Sequence, residues 1–186
     1  MRDPKRVAVL ISGRGSNMRA LIEKARDYEV SLVASNKPQA AGLDWARERG
    51  VPTWTWDSKG VDKETFDRTT SAALDDHRIG TIALAGFMRI LTPWFIEEWR
   101  GRILNIHPSL LPKYRGLDTH ARAIEAGDAV AGCSVHIVTE ELDAGEVLGQ
   151  AEALIEPGDT PSTLEERVLS VEHELYPKVL SEFVRR

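Results

Sequence analysis

The chain is poor in cysteine: Cys133 is the only one among 186 residues, so no intrachain disulfide can form. That suits a reducing compartment and predicts a cytoplasmic protein. Cys133 lies in an apolar run, the setting of a buried structural thiol rather than of a nucleophile. No stretch approaches the ~20 apolar residues of a membrane span. Near the amino terminus, the apolar run Val7 to Ile11 is too short for the core of a signal peptide. An excess of basic charge is also lacking. With a net charge of −5, nothing suggests a nucleic-acid surface, while small anionic ligands are still allowed because local geometry outweighs net charge. There is no C-x-x-C, and no histidine pair has ligand spacing with a third donor nearby, so no metal is predicted. Internal repeats, low-complexity segments and Pro/Gly/Ser-rich linkers are absent. One domain over residues 1–186 is therefore expected, long enough to bury a core without staples.

Strand and helix patterns alternate along most of what is present. Arg6 to Ile11 is an apolar run that stops at Ser12-Gly13-Arg14-Gly15-Ser16-Asn17, a buried parallel strand entering a glycine-rich turn. Met18, Leu21, Ile22 and Ala25 follow at helical spacing. Further strands are predicted over Val30 to Ser35, Pro52 to Trp56, Thr81 to Ala85 and Ile103 to Ile106. Helices are predicted over Ala40 to Arg49, closed by Gly50, and over Asp62 to Asp76, capped by Asp62. A short helix follows Thr92 with Pro93 at its first position, and another spans Thr119 to Ala126, stopped by Gly127. The alternation then ends. Ala129 to Val138 and Val147 to Ile155 are joined by a link too short for a parallel crossover, so they form an antiparallel hairpin. Ser162 to Val184 is a long terminal helix with Pro177 as a place for a kink. The fold class is α/β: a doubly wound, mostly parallel Rossmann-like sheet with an antiparallel C-terminal hairpin extension.

Two segments carry candidate chemistry. At the first turn, Gly13 and Gly15 let the backbone approach an anion, the helix start offers free N–H groups, and Ser16 and Asn17 add side-chain donors. A phosphate site and a ligand-free tight turn both satisfy this pattern. A dinucleotide does not fit, because Met18 stands where the third glycine of G-x-G-x-x-G belongs. The second segment follows the strand ending at Ile106. Asn105 and His107 are two residues apart and share one side of the strand end. An amide N–H and an imidazole converging on one point could stabilise an oxyanion, and the imidazole could move a proton. On spacing alone, a structural histidine and a turn asparagine account for them better. Asp143 on residue type alone is a turn former before Ala144-Gly145. His77, His120, His136 and His173 are weaker candidates, His136 because it merely alternates within a strand.

Several segments, taken in order, resemble the phosphoribosylglycinamide formyltransferases, a family of folate-dependent enzymes of purine synthesis. They are Ile11-Ser12-Gly13-Arg14-Gly15-Ser16-Asn17, Ala34-Ser35-Asn36-Lys37, Leu84 to Leu91, Asn105 to Pro112, Thr139 to Gly145 and Glu172 to Pro177. Any one is weak; together they cover nearly the whole chain. The resemblance implies that Gly13, Gly15, Ser16, Asn17 and Pro108 hold the glycinamide ribonucleotide, with Glu172 on its ribose. It places Met88, Arg89, Ile90, Leu91, Val138 and Glu140 around the folate, and Lys63 at the folate tail. Asn105, His107 and Asp143 are its catalytic set, of which Asn105 and Asp143 also touch the folate. The implied reaction moves the formyl group of 10-formyltetrahydrofolate to the acceptor amine, with no metal and no covalent enzyme intermediate. Partners are then small molecules, with no nucleic acid and no membrane, and the enzyme is a monomer or homodimer. Three positions depart from the common pattern: Arg14 replaces Asn, Lys63 replaces Arg and Asp118 replaces His. Methionyl-tRNA formyltransferase and formyltetrahydrofolate deformylase share such a core, but each is expected to carry a further domain and a different first turn.

Overall fold

The structure, a computed structural model, describes residues 1–186. In chain order its elements begin with β1 (Asp3–Ile11), α1 (Ser16–Glu23), β2 (Glu29–Ser35), α2 (Ala41–Glu48) and β3 (Thr53–Thr55). Next come α3 (Lys63–Asp76), β4 (Ile79–Leu84), α4 (Pro93–Glu98), β5 (Ile103–His107) and α5 (Thr119–Glu125). The chain closes with β6 (Val130–Ile137), β7 (Val147–Leu154) and α6 (Pro161–Phe183). All strands join one 7-stranded sheet in the order β3-β2-β1-β4-β5-β6-β7. Pairing is parallel from β3 through β5 and antiparallel for β5/β6 and β6/β7. This is the doubly wound sheet with an antiparallel extension that the sequence predicts.

Alternation along β1 explains the layers. Val7, Val9 and Ile11 pack with Met18, Leu43, Val168 and Tyr176, from α1, α2 and α6. Ala8 and Leu10 point the other way, into a cluster with Leu74, Phe95 and Trp99. A strand covered on both faces has to be apolar at every position, and Val7 to Ile11 is. The chain runs from β1 outward to β3 and then returns to β4 on the other side of β1. That reversal opens a crevice at the carboxyl ends of β1 and β4, where ligands of such sheets bind.

Two strands start earlier than expected. β1 begins at Asp3 rather than Arg6, and β4 at Ile79 rather than Thr81, because the polar start of β1 pairs with Ile79 through the backbone. Side-chain hydropathy does not register such a pairing. α6 runs through Pro177, which is buried, as the single long helix that the sequence predicts. The caps follow the sequence: Asp62 accepts from Thr65 N at 2.9 Å, and Thr92 from Phe95 N at 3.2 Å.

Candidate active site

β5 carries Asn105 and His107 to the edge of the crevice. Across the antiparallel pair, Asn105 faces His136 and His107 faces Ser134. Four polar side chains thus share one face of two strands whose other face is apolar. The His107 ring is held at both nitrogens. Its Nε2 lies 2.9 Å from the Tyr114 carbonyl oxygen, and its Nδ1 lies 3.4 Å from Asp143 Oδ2. Asp143 comes from the β6–β7 link, in the left-handed region at φ 51. Its Oδ2 also accepts from Gly116 N at 2.9 Å, and its Oδ1 lies 3.6 Å from His136 Nε2. Asn105 Nδ2 is 3.3 Å from the same His136 nitrogen. His107, Asp143 and His136 are all buried. Burial disfavours the imidazolium of His136 and pushes its pKa below the ordinary histidine value.

Two loops close over this cluster. Arg115 pairs with Glu141 at 2.7 Å, beside the Gly116–Asp143 bond. Ser134 anchors the segment after β5: its Oγ donates to Ser109 O at 2.6 Å and accepts from Leu111 N at 3.0 Å. In so dry a setting, a carboxylate, an imidazole and a carboxamide can stabilise a developing oxyanion and relay a proton.

The glycine-rich turn stands at the carboxyl end of β1. Gly15 adopts φ 71 and caps α1 with no side-chain acceptor, so no side chain occupies the helix start. Ser12, which the sequence reading gave no role, knits the neighbouring loops. Its Oγ donates to Asn36 Oδ1 at 2.6 Å and accepts from Met88 N at 2.8 Å. A cavity of about 250 Å³ runs past Gly13 and Arg14 to Lys37. Asn17 Nδ2 donates to Glu172 Oε2 at 2.7 Å, joining α1 to α6, while Asn17 Oδ1 is buried without a partner. Burial drives the Glu172 carboxyl up to about 7.

The remaining predicted positions surround the crevice. Met88 and Ile90 are exposed apolar side chains in the link after β4, and Leu91 between that link and α4 is buried. The Arg89 guanidinium lies 4.5 Å over the Phe66 ring, with Nε and Nη2 buried and unpartnered. Lys63 opens α3 and is exposed; its charge and that of Arg89 both act on the buried Asp67 carboxyl. Val138 follows β6 and donates to Ile103 O at 2.8 Å. Glu140 is exposed, and its charge is felt by Arg100 rather than by the cluster. Pro108 is half-buried directly after His107. So the structure brings His107, Asp143 and Asn105 together, and Asn17 with Glu172, while Lys63 and Glu140 are exposed side chains. His136, which along the chain merely alternates within a strand, joins this cluster. Ser134 and His136 repeat, on β6, the two-residue spacing of Asn105 and His107.

Residues 5–180 match the family described as formyl transferase. The chain belongs to the formyl transferase family. It is 45% identical over 182 residues to phosphoribosylglycinamide formyltransferase of Escherichia coli, covering 95% of this chain and 86% of that protein. It is 44% identical over 180 residues to the human trifunctional purine biosynthetic protein adenosine-3, of which it spans only 18%. The crystal structure of phosphoribosylglycinamide formyltransferase from Brucella melitensis superposes with a TM-score of 0.92 at 46% identity, covering 100% of this chain and 97% of that one. This formyl transferase therefore shares sequence and fold with its relatives over nearly its whole length.

Proposed function

We propose that this formyl transferase moves the formyl group of 10-formyltetrahydrofolate to the amine of glycinamide ribonucleotide, giving formylglycinamide ribonucleotide and tetrahydrofolate in purine biosynthesis. The observation that carries the mechanism is the 3.4 Å approach of His107 Nδ1 to Asp143 Oδ2 beside the Asn105 carboxamide. Residues far apart in the chain meet there.

In this mechanism the turn at Gly13, Gly15, Ser16 and Asn17 receives the acceptor's phosphate on backbone N–H groups. Glu172 accepts from the ribose hydroxyls, and Pro108 lines the path of the glycinamide arm. Met88, Ile90, Leu91 and Val138 cover the apolar body of the folate. Arg89, whose buried nitrogens lack partners, takes a carboxylate of its tail, with Lys63 adding charge outside. Glu140 rims the folate loop. Asn105 donates to the acyl oxygen, and the charged His107 ring stabilises it through its field, as a C–N bond forms to the acceptor amine. Asp143 balances the ring's positive charge. Helped by His107 and Asp143, the proton leaving the amine reaches the folate nitrogen as the old C–N bond breaks. Holding both reactants in register lowers the barrier by removing much of the entropy cost. The reaction needs only these two small molecules and takes place in the cytoplasm on a monomer or homodimer.

The decisive assay mixes purified protein with both substrates and follows tetrahydrofolate and formylated product together. Equal appearance of both is expected. Release of tetrahydrofolate without acceptor would instead indicate a hydrolase. His107→Ala and Asp143→Asn should each lower kcat by about a hundredfold or more while acceptor binding persists. Full activity in both variants would remove the mechanism.

A further inference from the structure

The surroundings of His136 leave its ring a single tautomer. Nδ1 lies 3.0 Å from the carbonyl oxygen of Ile137. A carbonyl only accepts, so Nδ1 carries a proton. The backbone of Gly145 passes so close to that carbonyl that a Cβ there would collide with it. The ring is 2% exposed, and burial keeps it neutral, so Nε2 presents a lone pair. Facing that lone pair at 3.3 Å is the Asn105 carboxamide, directly opposite in the β5/β6 register. A lone pair requires a donor, so the amide must turn Nδ2 and not Oδ1 toward His136. No other protein group bonds the Asn105 side chain.

We propose that His136, held as the neutral Nδ1–H tautomer, is a positioning residue that fixes the orientation of the Asn105 carboxamide, leaving its second N–H to meet the acyl oxygen. The inference rests on the role given to Asn105 above. Without His136 the amide is free to rotate, and its carbonyl would then oppose the developing negative oxygen. Two other titratable groups face or influence the ring: Asp143, with Oδ1 3.6 Å from Nε2, and His107. A proton on Nε2 would turn that nitrogen into a donor. It would favour Asp143 and an inverted Asn105 amide, undoing both at once.

The first test needs no variant. Nitrogen-15 NMR of the ring-labelled wild-type protein at pH 7.5 should show a neutral His136 with its proton on Nδ1. A proton on Nε2 would overturn the proposal. The second test compares His136→Leu, His136→Gln and the same changes in an Asn105→Ala background. Glutamine offers an oxygen near the Nε2 position and leucine does not. His136→Leu should lower kcat by about ten- to a hundredfold with both KM values nearly unchanged, and His136→Gln should recover most of it. In the Asn105→Ala background, His136→Leu should cost nothing further. Equal losses for leucine and glutamine, or full additivity with Asn105→Ala, would overturn the positioning role. An Asn105→Ala enzyme with normal kcat would instead sink the underlying mechanism, a result separable from the tautomer.

Discussion

Glu172, the proposed ribose contact, is a buried group that costs stability. Its carboxyl is raised to about 7, chiefly by burial, with the Asn17 bond pulling weakly the other way. Because its folded value lies above the unfolded one, the favourable contribution is present at low pH and is lost as pH rises through about 7. At pH 8 the protein therefore carries a buried carboxylate with a single donor. Glu172→Gln keeps an oxygen for Asn17 and removes the charge. It should stabilise the fold by on the order of 3 kcal/mol at pH 8 and by little at pH 5, read from urea midpoints. The same change should weaken acceptor binding, since a neutral amide is a poorer partner for ribose hydroxyls. A variant no more stable than wild type at pH 8 would contradict the assigned burial cost.

At the scale of elements, α6 sets the distance between the two halves of the site. Glu172 and Tyr176 are one turn apart and share its inner face. Glu172 reaches α1 through Asn17, while the Tyr176 hydroxyl lies 3.0 Å from Leu84 O and 3.1 Å from Leu104 O. The ring is fully buried. One phenol thereby ties the helix to the last residue of β4 and to the residue of β5 immediately before Asn105. Tyr176→Phe preserves the packing but leaves two buried carbonyls without that donor. A loss of about 1–3 kcal/mol is expected in denaturant unfolding. The acceptor KM should rise more than the folate KM, because α6 carries Glu172, the proposed contact to the acceptor's ribose. If both constants stayed at wild-type values, α6 would have no part in aligning the site.

Over the whole molecule, buried ionisable groups shape the stability curve more than surface pairs do. His120, His136 and His173 are each pushed down, mainly by burial. Groups with depressed folded values are fully favourable above the unfolded value of 6.5 and lose that contribution as pH falls toward the folded values. Glu172 acts in the opposite sense and penalises the fold above about 7. These groups should therefore make stability rise with pH up to about 6.5, oppose that rise through Glu172 between about 4.5 and 7, and add little slope above about 7. Unfolding free energies across pH 5 to 8.5 would test this, and Glu172→Gln should steepen the rise below pH 7 while leaving the slope above it unchanged. A variant whose profile differed from wild type only above pH 8 would show that other groups dominate.

Much of this was legible along the chain because the signals are local. Apolar runs without alternation announced a sheet covered on both faces, and the glycine-rich turn announced its first loop. The short link between the last two strands forced an antiparallel pair, since a crossover needs more chain. Spaced motifs such as Asn105-Ile106-His107-Pro108 pointed to the family. Composition ruled out a disulfide framework and a long membrane helix. Tertiary structure alone decided which distant side chains touch. Asp143 read as a turn former until the β6–β7 link carried it to His107, and Glu172 had no visible partner until α6 lay across α1. His136 looked like an ordinary strand residue until the β5/β6 register set it against Asn105. Secondary structure depends on neighbours a few residues away, whereas a contact between positions 105 and 136, or 107 and 143, exists only once packing fixes the register between strands. The same packing excludes water, and without that exclusion neither the ring tautomer nor the raised carboxyl would be determined.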